Sequence, residues 1–455
     1  MGTTGVRAAA CRGRATVDLA IVAGAVVAVV ACLLVRGGVW EHVGGGDLHG
    51  TYVPKYEAAA HAILVEHRLP LWNPYEFCGL PLLGVGHGAV LYPPVWLAFG
   101  ALPRWAALQA FYAFHAGLLS WGLLVYLRRH GIGVLPAGLA SLVAVAGLFA
   151  GPSLAGYDHP SFLASVAWLP WMLVTAERAA EEGMRPFGGW LALAAGAQWL
   201  CGYPDFPFVT AVLVPLVVLV GTRAPRLRAL VVVGAGLGLG AALAAVQILP
   251  LAEAVRESPR AVAADGYAPV RAWLAVSSAR ALARDLVVRQ GIAALVLGLL
   301  ALIRPRRSVW AWAAALAWAL FALNPPFVWL YRLPPFSHVR FPLGWPGIAP
   351  LFLGCLAAAG LDLGRRAGGR AGLAVTALAA GAAIQSLGVI AGVPARMPHR
   401  PPDFADIERR VAQLRPLVNA SGGARFVSAT ELAGGAPLRY GLATPSGYEP
   451  SLPPG

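Results

Sequence analysis

The sequence has few charged residues and almost no lysine. Only 12% of its 455 residues are charged, whereas a typical soluble domain has about 25%. Lys55 is the single lysine, and hydrophobic residues make up 58% of the chain. Long runs of Ala, Leu, Val and Gly recur as far as residue 393. This composition excludes an ordinary soluble domain. It predicts an all-α polytopic membrane protein, because helices satisfy their own backbone groups within lipid.

The formal net charge of +14 comes from arginine. A nucleic-acid-binding protein would carry such charge on one face of a soluble domain. Here the arginines stand in short clusters between apolar runs, which is typical of cytoplasmic loops. The charge therefore indicates membrane topology, and we expect no nucleic-acid partner.

Cysteines and clustered carboxylates are also scarce. The 5 cysteines show no metal-ligand spacing. Cys78 and Cys201 both fall on the predicted outer side, where they either form a disulfide or serve as small apolar residues. A metal site would need more clustered carboxylates than the loops provide. No metal ligand is assigned, and a divalent cation is left open as a cofactor.

One choice fixes the predicted membrane topology. The apolar segment 89–102 is short and contains two prolines, and counting it as a span would place Arg128 and Arg129 outside. We therefore expect it to be re-entrant or to lie along the outer interface. The result is about eleven transmembrane helices, some shorter than the usual ~20 residues, with the N-terminus in the cytoplasm and the C-terminus outside. The predicted spans are 17–35, 105–127, 131–150, 161–177, 187–201, 206–221, 228–250, 290–303, 308–324, 345–363 and 371–393.

The chain divides into a membrane domain and a short tail. Residues 1–395 form the predicted transmembrane domain, and its first span is expected to stay uncleaved because no clear cleavage site follows it. Within it, residues 38–104 form a large first outer loop with interfacial helices. Residues 396–455 are polar and partly amphipathic, which predicts a small mixed segment outside the membrane.

Polar chemistry is concentrated in the first outer loop. Between Gly44 and Pro94 it holds Asp, His, Lys and Glu side chains amid many Trp, Tyr, Pro and Gly residues. A carboxylate beside a membrane is costly unless it is solvated, paired or functional. We therefore place the candidate site at this loop.

Several stretches together resemble a known family. The first outer loop contains Leu69-Pro-Leu-Trp-Asn-Pro-Tyr75, Gly79-Leu-Pro and Tyr92-Pro-Pro. Later stretches are Gln247-Ile-Leu-Pro250, Leu333-Pro-Pro-Phe with Arg340-Phe-Pro342, and Gly447-Tyr448-Glu-Pro450. In this order they resemble the YfhO-like bacterial membrane proteins over most of the chain.

Two features depart from that family. Gly202-Tyr203-Pro204-Asp205 stands where relatives tend to have a Gly-His-Pro-Gln-like turn. The chain also ends soon after Pro450, where many relatives continue, so we expect a tail shortened relative to that family's outer region.

The resemblance implies an inverting glycosyltransferase of the C-type (GT-C) membrane fold in the bacterial cytoplasmic membrane. Such an enzyme takes a sugar from a polyprenyl-phosphate donor and transfers it to an outer-face acceptor, here an unknown glycan, lipid or protein. The transfer needs a general base for the acceptor hydroxyl. The resemblance places this base at Asp47, which follows Gly44–Gly46. Asp47 could instead cap the helix expected from Tyr52 to Glu66.

The departing lipid phosphate needs positive charge or hydrogen-bond donors. Arg332 and Arg340 are the first candidates, with His338 between them, and Arg256 and Arg260 are the second. Each of these arginines could instead contact lipid head groups.

Four further candidates have a structural alternative. His49 could orient the acceptor or occupy a turn. Lys55 could bind substrate, but with Glu57, His61 and Glu66 it fits the polar face of an amphipathic helix on the outer interface. Asp158 and His159 could assist the acceptor or hold a cation.

Aromatic residues of the first loop are the remaining candidates. Trp72 and Tyr92 could stack on a sugar, or they could belong to an interfacial aromatic belt that needs no substrate. Asn73 follows Trp72 in the first-loop motif and is assigned to substrate binding with it.

Two other functions stay open. A transporter or flippase for a lipid-linked sugar is disfavoured because the predicted spans show no charged relay and no obvious inverted repeat. A non-catalytic envelope-assembly protein would fit the short tail.

Overall fold

The computed structural model describes residues 48–74, 79–149, 159–256, 291–304, 309–315 and 348–392, with Val287 and Pro416 as isolated positions. This part is mostly helical, which confirms the all-α class. Its only sheet among these ranges is one antiparallel pair of two-residue strands, β1 (Trp72–Asn73) and β2 (Leu80–Pro81). The predicted first span and the C-terminal segment 396–455 lie outside the described residues, Pro416 excepted.

Thirteen labelled helices order this part of the chain. They follow a π-helical turn at Leu48–Tyr52, and a 3-10 turn at Leu82–Gly84 lies between β2 and α2. They are α1 (Val53–Leu64), α2 (Pro93–Ala101), α3 (Arg104–Arg129), α4 (Val134–Phe149), α5 (Pro160–Ala167), α6 (Leu169–Glu182), α7 (Met184–Leu200), α8 (Asp205–Gly221), α9 (Arg226–Leu243), α10 (Ala245–Arg256), α11 (Ile292–Ala301), α12 (Ala349–Ala367) and α13 (Gly369–Gly392).

Proline and glycine set several helix boundaries. Pro93 and Pro160 stand at the first helical positions of α2 and α5, where a missing N–H costs nothing. Gly183 separates α6 from α7 at φ +119°, a backbone conformation that favours glycine.

Two predicted spans are each divided into two helices. Span 161–177 is interrupted at Trp168, between α5 and α6. Pro170 lacks the N–H for an i−4 hydrogen bond, and its ring conflicts with the preceding turn. Span 228–250 is interrupted at Ala244, after the glycine-rich end of α9. Both segments are helical, as their hydropathy predicts, but each forms two helices instead of one continuous span.

Three described helices are long and apolar enough to cross a membrane: α3, α9 and most of α13. More than half of the apolar window of α3 is buried, whereas α9 and α13 expose most of theirs, including Leu227 and Leu373. The segment 89–102 contains the nine-residue helix α2, which is shorter than the ~20 residues that a span needs. The described part of the chain therefore has the apolar helices of a membrane protein.

Small residues allow some of these helices to approach closely. Helices α7 and α9 pack against each other where Gly196 faces Gly240. A Cβ atom built on Gly240 would lie 2.8 Å from the Ala192 carbonyl oxygen and 2.9 Å from the Gly196 nitrogen. Contacts of this kind hold membrane helices together through backbone proximity.

The helices place two different sets of side chains at opposite ends. Helices α3, α6 and α8 all run from what we call the aromatic end to what we call the arginine end. The aromatic end contains Tyr52, His87, Tyr92, His159 and Tyr203. The arginine end contains Arg129, Glu177, Arg223, Arg304 and Arg366.

Candidate functional site

Four rings from three separate segments meet at the aromatic end. The Tyr52 ring lies 5.7 Å from the His87 ring and 5.5 Å from the His159 ring. Both histidines also contact Tyr203, at 6.0 and 6.3 Å. All four contacts are edge-on, the arrangement that aromatic quadrupoles favour. We call these four residues the ring cluster.

Close backbone contacts bring the first loop to this cluster. Gly202 has φ +82°, and a Cβ there would lie 2.9 Å from the Ala89 nitrogen. Only glycine combines that conformation with so close an approach. A Cβ on Gly86 would similarly meet the ring of Pro204 at 3.0 Å. His87 and Tyr203 are therefore neighbours because glycine flanks both of them.

Helix α1 turns its polar lysine inward. Tyr52, Lys55, Tyr56 and Ala59 each have 0% exposure, and their spacing places them on one helical face. Of the two interpretations of Lys55, the exposed polar face is wrong, because the side chain is fully buried; its role in substrate binding stays a prediction. His61 and Glu66 are exposed as expected. Lys55 follows Tyr52 of the ring cluster by three residues and is fully buried, and a buried lysine needs compensating polar contacts.

Glu57 lies between these two faces. Its carboxylate receives the Arg104 guanidinium through two nitrogens, with Nη2 at 3.1 Å from Oε2. Burial raises the pKa of the Glu57 carboxyl, while the bond and the charge of Arg104 act in the opposite direction. This ion pair joins α1 to the start of α3.

Tyr92 belongs to a buried hydrogen-bond chain. Its hydroxyl lies 2.8 Å from His115 Nε2 and accepts a bond from the Trp168 indole N–H at 3.0 Å. His115 Nδ1 lies 2.7 Å from the Phe111 carbonyl oxygen. Because that carbonyl can only accept, Nδ1 carries the proton and Nε2 accepts from Tyr92. Burial raises the pKa of Tyr92 well above its ordinary value.

This location differs from both readings that the sequence offered for Tyr92. The side chain is 1% exposed, so it lies neither in an interfacial belt nor on an open stacking surface. It joins the first loop to α3 and to the junction of α5 and α6. Trp72 is 54% exposed and packs its indole over Gly79, while its neighbour Asn73 is buried.

A second family-like stretch meets the first loop. The Gln247 side-chain amide donates to the Leu83 carbonyl, and a Cβ on Gly84 would touch the Pro250 carbonyl oxygen at 3.1 Å. The Gln247-Ile-Leu-Pro250 motif thus packs against the segment after Gly79-Leu-Pro. Arg256 ends the same helix and is exposed.

Several predicted site residues cannot be placed beside these groups. His49 has its backbone in the π-helical turn, and its side chain is outside what the structure describes. Asp47, Asp158, Arg332, His338 and Arg340 also lie outside the described residues. In the sequence, Asp47 immediately precedes the buried Leu48, and Asp158 immediately precedes His159 of the ring cluster.

Cys201 and the described His, Cys, Asp and Glu side chains bear on the disulfide and the metal site that the sequence left open. Cys201 is a free buried thiol that donates to the Ala197 carbonyl, which fits the alternative of a small apolar residue and not a disulfide; Cys78 lies outside the described residues. Within the described ranges, no group of three or more His, Cys, Asp or Glu residues could hold a metal ion.

Sequence reasoning missed His87 and Tyr203 as partners. Both lay in segments singled out as polar, but nothing in the sequence joins residues more than a hundred positions apart. The sequence feature that could have indicated this contact is the neighbouring glycine: Gly86 and Gly88 flank His87, and Gly202 precedes Tyr203.

The aromatic end therefore combines one buried lysine, two imidazoles and several phenols. Such a set can hold anionic oxygens and exchange protons with a bound hydroxyl. No protein-family model matches the chain, and no curated protein matches it in sequence.

Proposed function

We propose that the chain is a GT-C-type membrane glycosyltransferase that uses a polyprenyl-phosphate-linked sugar. Its aromatic end faces the outside of a bacterial cytoplasmic membrane, and its acceptor is a cell-envelope glycan, lipid or protein. The arginine end faces the cytoplasm, as the positive-inside rule requires. In this arrangement about eleven helices cross the membrane, with the N-terminus inside and the C-terminus outside.

One observation supports this proposal above the others. Three loops that the topology assigns to the outer side meet at the ring cluster, and the buried Lys55 follows Tyr52 of this cluster by three residues. An inert membrane anchor has no need of a buried lysine or of clustered histidines and tyrosines, because each buried polar group must be compensated. Transfer from a lipid phosphate has use for such groups, since it develops negative charge on the leaving oxygen.

The roles follow from the chemistry of an inverting transfer. Asp47 removes the acceptor proton, and Arg332, His338 and Arg340 hold the departing phosphate. Lys55 contributes positive charge from α1.

Further contacts surround these groups. His49, Asp158 and His159 position the acceptor, and Arg256 contacts the phosphate or nearby lipid. Trp72 and Asn73 bind the substrate from the β1–β2 hairpin, and Tyr92 positions the loop from within. No step requires a metal, although a divalent cation would be compatible with the donor phosphate.

The test is sugar transfer from radiolabelled polyprenyl-phosphate-hexose in membranes that contain the full chain. Asp47→Asn should lower transfer about 100- to 10,000-fold, the usual contribution of a general base. Lys55→Met should lower it at least about tenfold, as expected for a lost charge-assisted contact. His61→Gln is the matched control, because it changes a titratable residue on the exposed face of the same helix, and it should leave transfer unchanged.

Each other outcome points to a different function. Full transfer by Asp47→Asn would refute the assignment of the base. Donor crossing the membrane without transfer would indicate a lipid-linked sugar transporter. Donor binding with neither transfer nor crossing would indicate a non-catalytic assembly protein.

A further inference from the structure

A cavity of about 700 Å³ opens at the arginine end, far from the ring cluster. It lies where α3, α6 and α8 end, and Arg304 and Trp310 complete its wall. Small-molecule sites usually have about 300–1,000 Å³, so the cavity has room for an organic ligand. The sequence interpretation gave the arginines here a topological role only.

The inner wall of the cavity is held by fixed charges. Glu177 is 1% exposed and contacts both Arg129 Nε and His130 Nε2 at 3.2 Å. Arg129 also pairs with Glu181. Glu181 accepts from the Thr222 hydroxyl at 3.0 Å and from the Arg223 backbone N–H at 2.8 Å. The carboxylates are thus already occupied by neighbours within the protein.

Aromatic side chains fix the position of His130. Its ring lies 4.7 Å from the Tyr126 ring and 5.6 Å from the Trp310 ring. The Trp310 indole donates to the Tyr126 hydroxyl at 3.0 Å. His130 therefore has a defined orientation at the base of the cavity.

Positive charge exceeds negative charge on the lining. Arg129, Arg223 and Arg304 line the cavity, against Glu177 and Glu181. Within the described part of the chain, neither the Arg304 nor the Arg223 guanidinium forms an ion pair or a hydrogen bond, although the charge of Arg223 acts on the Glu181 carboxylate. Both arginines are exposed. Two arginine forks therefore face a cavity whose own carboxylates are occupied.

We propose that this cavity binds a phosphate-bearing ligand through Arg223 and Arg304. Arginine presents a planar fork that matches phosphate oxygens in pairs. The ligand is either the phosphate head group of a lipid or a soluble phosphate compound, since both present the same oxygens. This site is separate from the one proposed for sugar transfer and does not depend on it.

The test uses the purified full chain in an uncharged detergent. Two probes are added in turn: dioctanoyl phosphatidic acid as a lipid phosphate, and inorganic pyrophosphate as a soluble one. The rise in unfolding temperature with probe concentration gives the dissociation constant. We expect at least one probe to bind more tightly than about 1 mM. Arg223→Gln and Arg304→Gln should each weaken binding about tenfold or more.

Arg226→Gln and Arg228→Gln are the matched controls. Both positions are exposed near the same end, neither lines the cavity, and each variant loses the same charge. These controls should keep the affinity of the wild-type chain. All four variants should unfold at the wild-type temperature when no probe is present.

The outcomes distinguish the source of the phosphate. Binding of phosphatidic acid alone assigns a lipid head group, and binding of pyrophosphate assigns a soluble ligand. Absence of binding by both probes would overturn the proposal. Equal weakening by the control variants would also overturn it, because the attraction would then come from general surface charge.

Discussion

Replacing Gly240 by alanine should loosen the contact between α7 and α9. An added Cβ would lie 2.5 Å from Ala195 Cβ, 2.8 Å from the Ala192 carbonyl oxygen and 2.9 Å from the Gly196 nitrogen. Two of these three atoms belong to the α7 backbone, so rotating a side chain cannot relieve the overlap. The helices must move apart, and such overpacking costs about 1–3 kcal/mol.

The same helix provides the control. Gly238 also lies within α9, but a Cβ there would meet nothing within 4 Å. Gly→Ala at an open helical position stabilises by about 0.5–1 kcal/mol, because glycine loses more conformational freedom on folding. This gain is common to both variants. Gly240→Ala should therefore be about 1–3 kcal/mol less stable than Gly238→Ala.

The assay is unfolding by increasing SDS in mixed micelles, followed by far-UV circular dichroism. Adding Ala195→Gly to Gly240→Ala should restore only part of the loss, because the Ala192 and Gly196 backbone contacts remain. Equal stability of Gly240→Ala and Gly238→Ala would refute the close approach of these helices.

Three side chains give three further predictions. Tyr92→Phe should lower stability by about 1–3 kcal/mol, because His115 and Trp168 then lose a buried partner; an unchanged SDS unfolding midpoint would contradict the hydrogen-bond chain. Burial alone would raise the pKa of Glu181, but bonds from the Arg223 N–H and the Thr222 hydroxyl, with the charges of Arg129 and Arg223, hold it below its ordinary 4.5. The ionised Glu181 carboxylate therefore stabilises the fold above pH 4.5, and this contribution is lost as the pH falls through the lowered pKa. Glu181→Gln should remove the pH dependence of the unfolding free energy in this acidic range. Burial raises the pKa of Glu57 from 4.5, so the wild-type protein loses stability as the pH rises above 4.5 and this carboxyl ionises. Glu57→Gln should remove that loss. If the curve of stability against pH is the same for the wild type and a variant, the replaced carboxylate does not cause the pH dependence.

The helices were largely predictable because hydropathy and arginine clusters both report on them. The run ending at Arg128 and Arg129 was expected to be a helix, and α3 covers it. The breaks at Trp168 and Ala244 were missed because a hydropathy window averages over a turn and is insensitive to the i−4 hydrogen bond that proline removes.

The site was predicted as a region rather than as a set of contacts. The spacing of Tyr52, Lys55 and Tyr56 defines one helical face, but composition cannot tell whether a face containing lysine turns toward water or inward. The sequence left Lys55 open between substrate binding and an exposed polar face, and the structure places it in the interior.

The cavity at the arginine end was hidden for a different reason. Membrane topology alone explains the arginines of a cytoplasmic loop, so the sequence offered no separate reason to assign a site to them or to the neighbouring glutamates. Glu177, Glu181 and Glu182 are unusual so close to a basic loop, and their pairing with Arg129 required the fold to become visible.

The bond between Gln247 and Leu83 has a consequence for how the protein is made. Its partners are separated by 164 residues. At a synthesis rate of about 5–20 residues per second, the Leu83 carbonyl waits roughly 8 to 33 seconds for its partner. The bond from the Gly133 N–H to Asp362, across 229 residues, forms later still. The first loop and the α3–α4 turn are therefore synthesised before the groups that hold them exist, and both ends of the structure are completed by the later part of the chain.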